Sequence, residues 1–106
     1  MKRGEIWTLR DKIYASKARP VVVIQDDAHN DFDSVILCLF TTYESSDIET
    51  RVLIKASEEN GLKKDSYVMT DKIVTVDKSI LGESIGHLSV QDMKSVSEQL
   101  KIILGL

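Results

Sequence analysis

The sequence predicts a mostly β (α+β) fold, a small barrel of five or six short strands with one α-helix at its C-terminal end. Three observations carry this. Pro20-Val-Val-Val-Ile24 and Ser34-Val-Ile-Leu-Cys-Leu-Phe-Thr-Thr42 are unbroken apolar runs of strand length. The first is β-branched from Val21 onward, and such side chains favour strands over helices. A helical period appears only after Leu88, where Val90, Met93, Val96, Leu100, Ile103 and Leu104 fall on one face.

In chain order, Gly4–Arg10 reads as a strand with Ile6 and Thr8 on one face and Trp7 and Leu9 on the other. Trp7 is expected in the core. Asp11–Ala18 breaks the alternation and is expected to be a loop, with Lys12, Tyr14 and Lys17 on it. A tyrosine flanked by lysines suits RNA, through base stacking and phosphate contact; a plain surface loop has the same composition. Pro20 lacks an N–H, so it belongs at the start of the next strand and holds Arg19 extended at its rim. Asp26–Asp33 is a polar turn-forming loop; its aspartates and His29 match no metal-ligand spacing. The Ser34–Thr42 strand ends in two hydroxyls, Thr41 and Thr42. Tyr43–Glu49 is an acidic loop, Thr50–Lys55 an alternating strand with Val52 and Ile54 inward, and Asn60-Gly61 a turn signal. Asp65–Val76 reads as a long strand with Ile73, Val74 and Val76 inward, Asp77–Leu81 as a short helical turn, and Ser84–Leu88 as the last strand. Ser89 is the N-cap candidate for the helix, with Asp92 three residues on, a Leu88–Met93 staple and Gly105 as its stop.

A chain of 106 residues has room for one core, so residues 1–106 are expected to form a single domain. One cysteine, Cys38, excludes an internal disulfide and a cysteine-built zinc site, and fits a reducing cytosol. No apolar run approaches membrane-spanning length, and the N-terminus lacks the apolar segment of a signal peptide. The net charge of −3 is unevenly spread. Residues 1–20 hold six cations and two acids, residues 21–50 seven acids and no Lys or Arg, and residues 51–106 eight of each. The whole-chain balance argues against general nucleic-acid affinity, while the first twenty residues can build a local basic face.

Several phrases together resemble the MazF/PemK/Kid family of toxin–antitoxin endoribonucleases, which shares an SH3-like barrel with the CcdB toxins. They are Lys2-Arg-Gly-Glu-Ile-Trp7, Arg19-Pro-Val-Val-Val-Ile24, Asn30 with Phe32, Phe40-Thr-Thr42, Gly61-Leu-Lys-Lys-Asp-Ser66, Ile73-Val-Thr-Val-Asp77 and Ile85-Gly-His-Leu88. Their order spans nearly the whole chain.

The resemblance implies an SH3-like β-barrel with a C-terminal helix, acting as the toxin of a type II toxin–antitoxin pair. It implies cleavage of single-stranded RNA without metal or cofactor, by 2′-OH attack on the adjacent phosphate, usually at a short sequence. It also implies a cytoplasmic homodimer with a small cognate antitoxin and no membrane partner. Arg19 matches the family's catalytic arginine and Thr41 its catalytic threonine; Asp71 matches an aspartate used by some Kid-like members. Lys12, Tyr14, Lys17 and Thr42 are the RNA-binding candidates. A forked guanidinium suits the charge that builds on phosphoryl oxygens. The chain departs from the family in two places. The loop before Arg19 lacks the family's Gly-Ser-Glu-Gln-x-Gly, and Met69 stands where the Kid-like arginine is expected. These departures keep open an alternative on the same barrel, a non-catalytic CcdB-like module that grips a protein target. His29 and His87 match no catalytic position.

Overall fold

A computed structural model describes residues 1–10 and 19–106. Strands β1 (Glu5–Leu9), β2 (Arg19–Val23), β3 (Ser34–Thr41), β4 (Arg51–Ile54), β5 (Ser66–Asp77) and β6 (Leu81–His87) precede helix α1 (Val90–Leu104). The expected loop carrying Lys12, Tyr14 and Lys17 lies outside the described residues. The strands form one antiparallel sheet in the order β4-β5-β3-β2-β1-β6.

The ladder leaves β4 and β6 as edges, so the barrel is not closed by strand pairing. The loop after β4 spans the seam instead. The His87 N–H donates to the Glu59 carbonyl at 3.0 Å, and Gly86 lies so close to the Glu59–Asn60 backbone that a Cβ would overlap it. Asn60 fixes the loop from inside. It is 3 % exposed, its Oδ1 accepts from the N–H groups of Ser57 and Leu62, and its Nδ2 donates to the Lys55 carbonyl.

Both faces of the sheet are covered, which explains why β2 is apolar at every position from Val21 to Val23. Val22 joins Ile6, Cys38, Phe40, Ile54, Val68, Val96 and Leu100 in the core beneath the helix. Val21 and Val23 join Leu9, Val35, Leu37, Val76 and Leu81 in a second core. Burial raises the Cys38 thiol pKa to about 12, so it behaves as a small apolar side chain. Trp7 is half-buried at the edge of the second core, and its indole N–H donates to Glu5. Ile73 faces the helix-side core and Val74 and Val76 the other; the expected inward residues of β5 thus divide between two cores.

The register of β3 on β5 jumps between Cys38↔Ile73 and Leu39↔Met69, leaving Thr70, Asp71 and Lys72 unopposed on β5. Such an insertion bends a strand and re-aims its side chains. Buried Thr70 secures the bend by donating to the Thr50 carbonyl.

Helix α1 starts and stops where its signals stand. The Ser89 hydroxyl accepts the Asp92 N–H at 3.0 Å, Leu88 and Met93 pack with the helix-side core, and Gly105 ends it at φ +72°. Arg3 ties the helix to the sheet, donating to the Ile24 carbonyl and to Ser97 Oγ. The apolar face is only partly covered: Val96 and Leu100 are buried, but Val90, Ile103 and Leu104 are exposed, as are Ile102 and Leu106.

Two substitutions test these supports by urea denaturation. Ser89→Ala, which removes the cap, is expected to lower stability by about 1 kcal/mol. Gly86→Ala, which forces β6 off the seam loop, is expected to lower it by about 1–3 kcal/mol. An unchanged midpoint in Gly86→Ala would mean that the loop does not bear on β6.

Candidate active site

Antiparallel pairing brings three strand ends to one rim: the start of β2, the end of β3 and the start of β5. Val21 stands opposite Leu39. Continuing that register by two residues places Arg19 opposite Thr41. On the other side of β3, Thr41 stands opposite Tyr67, beside Ser66. The result is a cavity of about 280 Å³ lined by Arg19, Pro20, Phe40, Thr41, Thr42, Tyr43 and Ser66. A larger cleft of about 510 Å³ adjoins it, sharing Pro20, Thr42 and Ser66 and adding Lys63, Lys64 and Glu83.

Arg19 is exposed at the rim, while the strand behind it is buried. The rigid strand fixes where the Arg19 side chain leaves the backbone, at the mouth of the cavity. Thr41 Oγ1 accepts the Tyr43 N–H at 3.2 Å. Its own hydrogen therefore remains available to donate toward an anion. An alcohol is too weak an acid to serve as a general base near neutrality. A forked cation, a hydroxyl donor and a second threonine around one cavity suit a phosphate whose charge increases during reaction.

The structure thus brings Arg19, Thr41 and Thr42 together. The remaining RNA-binding candidates, Lys12, Tyr14 and Lys17, lie outside the described residues. Asp71 does not line the cavity. The bend in β5 turns it toward Arg51, and the two side chains pair through two bonds of 3.0 Å each. Arg51 is the cross-strand partner of Met69. The cation that the family resemblance expected at position 69 therefore reaches Asp71 from the neighbouring strand. His29 and His87 do not line the cavity either; His87 Nδ1 lies 3.4 Å from a Glu59 carboxylate oxygen.

Four side chains at this rim were not singled out from the sequence. Tyr43 is 83 % exposed and follows directly on Thr42, inside a segment read as an acidic loop. Ser66, Lys63 and Lys64 belong to a phrase that carried the family resemblance without an assigned role. Their adjacency to the two threonines arises from strand pairing and not from chain spacing.

The Tyr43 loop is held by charge-assisted bonds. The Tyr67 hydroxyl donates to Glu44 at 2.6 Å. Arg51 Nη1 donates to Ser45 Oγ at 3.2 Å, and that hydroxyl donates to the Tyr43 carbonyl at 3.1 Å. The Arg51 hydrogen bonds hold the Asp71 carboxyl below its ordinary value of 3.8. The Tyr67 hydrogen bond lowers Glu44 from 4.5, and the same bond raises Tyr67.

A model of the PemK-like, MazF-like toxins of type II toxin–antitoxin systems matches residues 2–104. A probable endoribonuclease MazF of Mycolicibacterium smegmatis is 36 % identical over 107 residues, covering 100 % of this chain and 98 % of that one. Endoribonuclease MazF of Staphylococcus saprophyticus is 37 % identical over 113 residues, covering 100 % and 92 %. The fold is similar to that of a mycobacterial endoribonuclease solved in complex with its cognate antitoxin, with a TM-score of 0.85 at 26 % identity, covering 100 % of this chain and 96 % of that one.

The depressed Asp71 and Glu44 values carry a sign. Folding lowers both, so their contribution is complete above the ordinary carboxylate range and is lost as pH falls through the depressed values. The urea midpoint is expected to be flat from neutrality to about pH 5 and to fall below about pH 4. Asp71→Asn is expected to lower the neutral midpoint and to flatten the acid decline. An identical acid decline in wild type and variant would show that the pair does not contribute.

Proposed function

The chain belongs to the PemK-like, MazF-like toxins of type II toxin–antitoxin systems, and we propose that Arg19 and Thr41 carry its chemistry. It is an endoribonuclease toxin. The observation that carries the residue assignment is the β2–β3 register, which sets Arg19 against Thr41 at a cavity of about 280 Å³.

In the proposed reaction the ribose 2′-oxygen attacks the neighbouring phosphorus. The P–O5′ bond breaks, the 2′-proton is lost, and the 5′-oxygen leaves with a proton. The products are a 2′,3′-cyclic phosphate and a 5′-hydroxyl. The Arg19 guanidinium takes the charge that grows on the phosphoryl oxygens, with two donors where a lysine offers a point charge. Thr41 donates its hydroxyl hydrogen to the same group. Thr42 lies between the two cavities, where it meets the adjoining nucleotide. Lys63 and Lys64 continue the positive track away from the cut. Nothing in this sequence of events calls on a metal. Asp71, with both carboxylate oxygens engaged by Arg51, enters as a positioning residue, taken up below.

The substrate is proposed to be single-stranded RNA, mRNA in particular, because a duplex holds its bases stacked away from an open cavity such as this. The relative solved with its cognate antitoxin supports a small protein partner for this chain. Arg19 in the cavity and Lys63 and Lys64 in the adjoining cleft favour an acidic segment on that partner. The exposed Ile102, Ile103, Leu104 and Leu106 at the end of α1 support a homodimer, with two rims per assembly. No helix of the described residues is long and apolar enough to cross a membrane. The mRNA substrate and the free thiol of Cys38 favour the cytoplasm.

Arg19→Ala is expected to reduce cleavage of a long mixed-sequence RNA by at least about a hundredfold, with an unchanged circular dichroism spectrum. Thr41→Val, which keeps the shape without the hydroxyl, is expected to reduce it by about tenfold or more. Excess EDTA is expected to leave the cleavage pattern unaltered. Full activity of Arg19→Ala would overturn the assignment.

A further inference from the structure

Tyr43 combines two features. Its ring is almost fully exposed, while its backbone is held on both sides. The N–H donates to Thr41 Oγ1, and the carbonyl accepts from Ser45 Oγ. Ser45 is 1 % exposed and accepts from Arg51, which is itself fixed by the two-point pair with Asp71. A second tie acts one residue on, where Glu44 accepts the Tyr67 hydroxyl. A single exposed aromatic on a surface needs no explanation. An exposed aromatic on a fixed backbone, lining the same cavity as Arg19 and Thr41, is a preorganised contact surface.

The charge around it narrows what it meets. The loop carries Glu44, Asp47 and Glu49, and Arg51, which donates to its Ser45, is committed to Asp71. These carboxylates disfavour a phosphate over the loop itself, whereas the neutral face of a base meets no such repulsion. Arg19, on the same cavity, is left to the cleaved phosphate, and Lys63 and Lys64 lie on the other side of Thr42 and Ser66 for the phosphates beyond it. The phosphates thus run from Arg19 toward Lys63 and Lys64, and the acidic loop is left to a base.

We propose that Tyr43 is the stacking platform for the base beside the cleaved phosphate, and that Arg51, Asp71 and Ser45 are positioning residues that hold it there. This rests on the endoribonuclease reading above. It gives the Arg51–Asp71 pair a task in substrate binding, and none in proton transfer.

The test is steady-state cleavage of a short RNA carrying the preferred site, by the full chain. Tyr43→Ala is expected to raise KM by roughly fivefold to a hundredfold, the range for loss of one base–aromatic stack, with kcat within about threefold. Tyr43→Phe, which keeps the ring, is expected to stay within about threefold of wild type. Asp71→Asn is expected to raise KM while leaving the acid limb of the pH–rate profile in place. In a Tyr43→Ala background it is expected to add less than about twofold, because the loop then has nothing to position. Tyr43→Ala with wild-type KM would overturn the proposal. So would Asp71→Asn with a collapsed kcat and a lost acid limb, which would make Asp71 the general base. Wild-type protein that cuts no RNA would overturn the parent reading instead, and Arg19→Ala in the same assay separates the two failures.

Discussion

The site depends on one register, that of β2 on β3. Val21, Val22 and Val23 are buried, and so are Leu37 and Cys38 opposite them. Along Val21–Val23 a slip of one residue exchanges valine for valine, so the register is held by the ends of the run, where a slip would draw Arg19 or Gln25 toward buried positions. Arg19 and Thr41 lie just beyond the last pair of that ladder, which sets their backbone positions against each other. A guanidinium otherwise samples many orientations, and loss of that freedom on binding costs free energy. A rigid strand with Pro20 at its head reduces that cost before substrate arrives.

The β5 bend does comparable work for the loop. Three unopposed residues let one strand pair with β3 along two segments and swing Asp71 toward β4 between them. From there the chain of bonds runs through Arg51 and Ser45 to the Tyr43 carbonyl. The rim is thus set from two directions: by apolar packing from β2 and β3, and by charge-assisted bonds from β4 and β5. The two depend differently on conditions, since the packing is insensitive to acid while the bonds weaken when carboxylates protonate.

Much of this was legible in the sequence. The β-branched run after Pro20, the Thr-Thr end of β3, the Asp77 turn and the Ser89 cap are local signals, and the structure has an element at each. The Asp77 carboxylate accepts the Ser79 N–H, as a short helical turn there requires. The open seam was not legible, because closure depends on whether β4 and β6 can pair, which no local pattern encodes. Nor was the Arg51–Asp71 pair, which joins residues twenty apart through a three-residue insertion in the ladder. No local pattern marks Tyr43, which heads an acidic segment; what distinguishes it is the cavity it lines with Thr41 and Thr42. The helical period gives one apolar face but not how far the core reaches along it: α1 extends past the core, leaving Ile103 and Leu104 exposed.

The central claim is that this rim drives attack by the substrate's own 2′-oxygen, with Arg19 and Thr41 stabilising the phosphoryl group. Mass spectrometry of the fragments from one short RNA tests it most directly, with a matched oligonucleotide carrying a 2′-deoxy sugar at the cut position. A 2′,3′-cyclic phosphate on the upstream fragment, a 5′-hydroxyl on the downstream one and no cleavage of the deoxy substrate are the expected results. A 5′-phosphate on the downstream fragment, or cutting of the deoxy substrate, would contradict it.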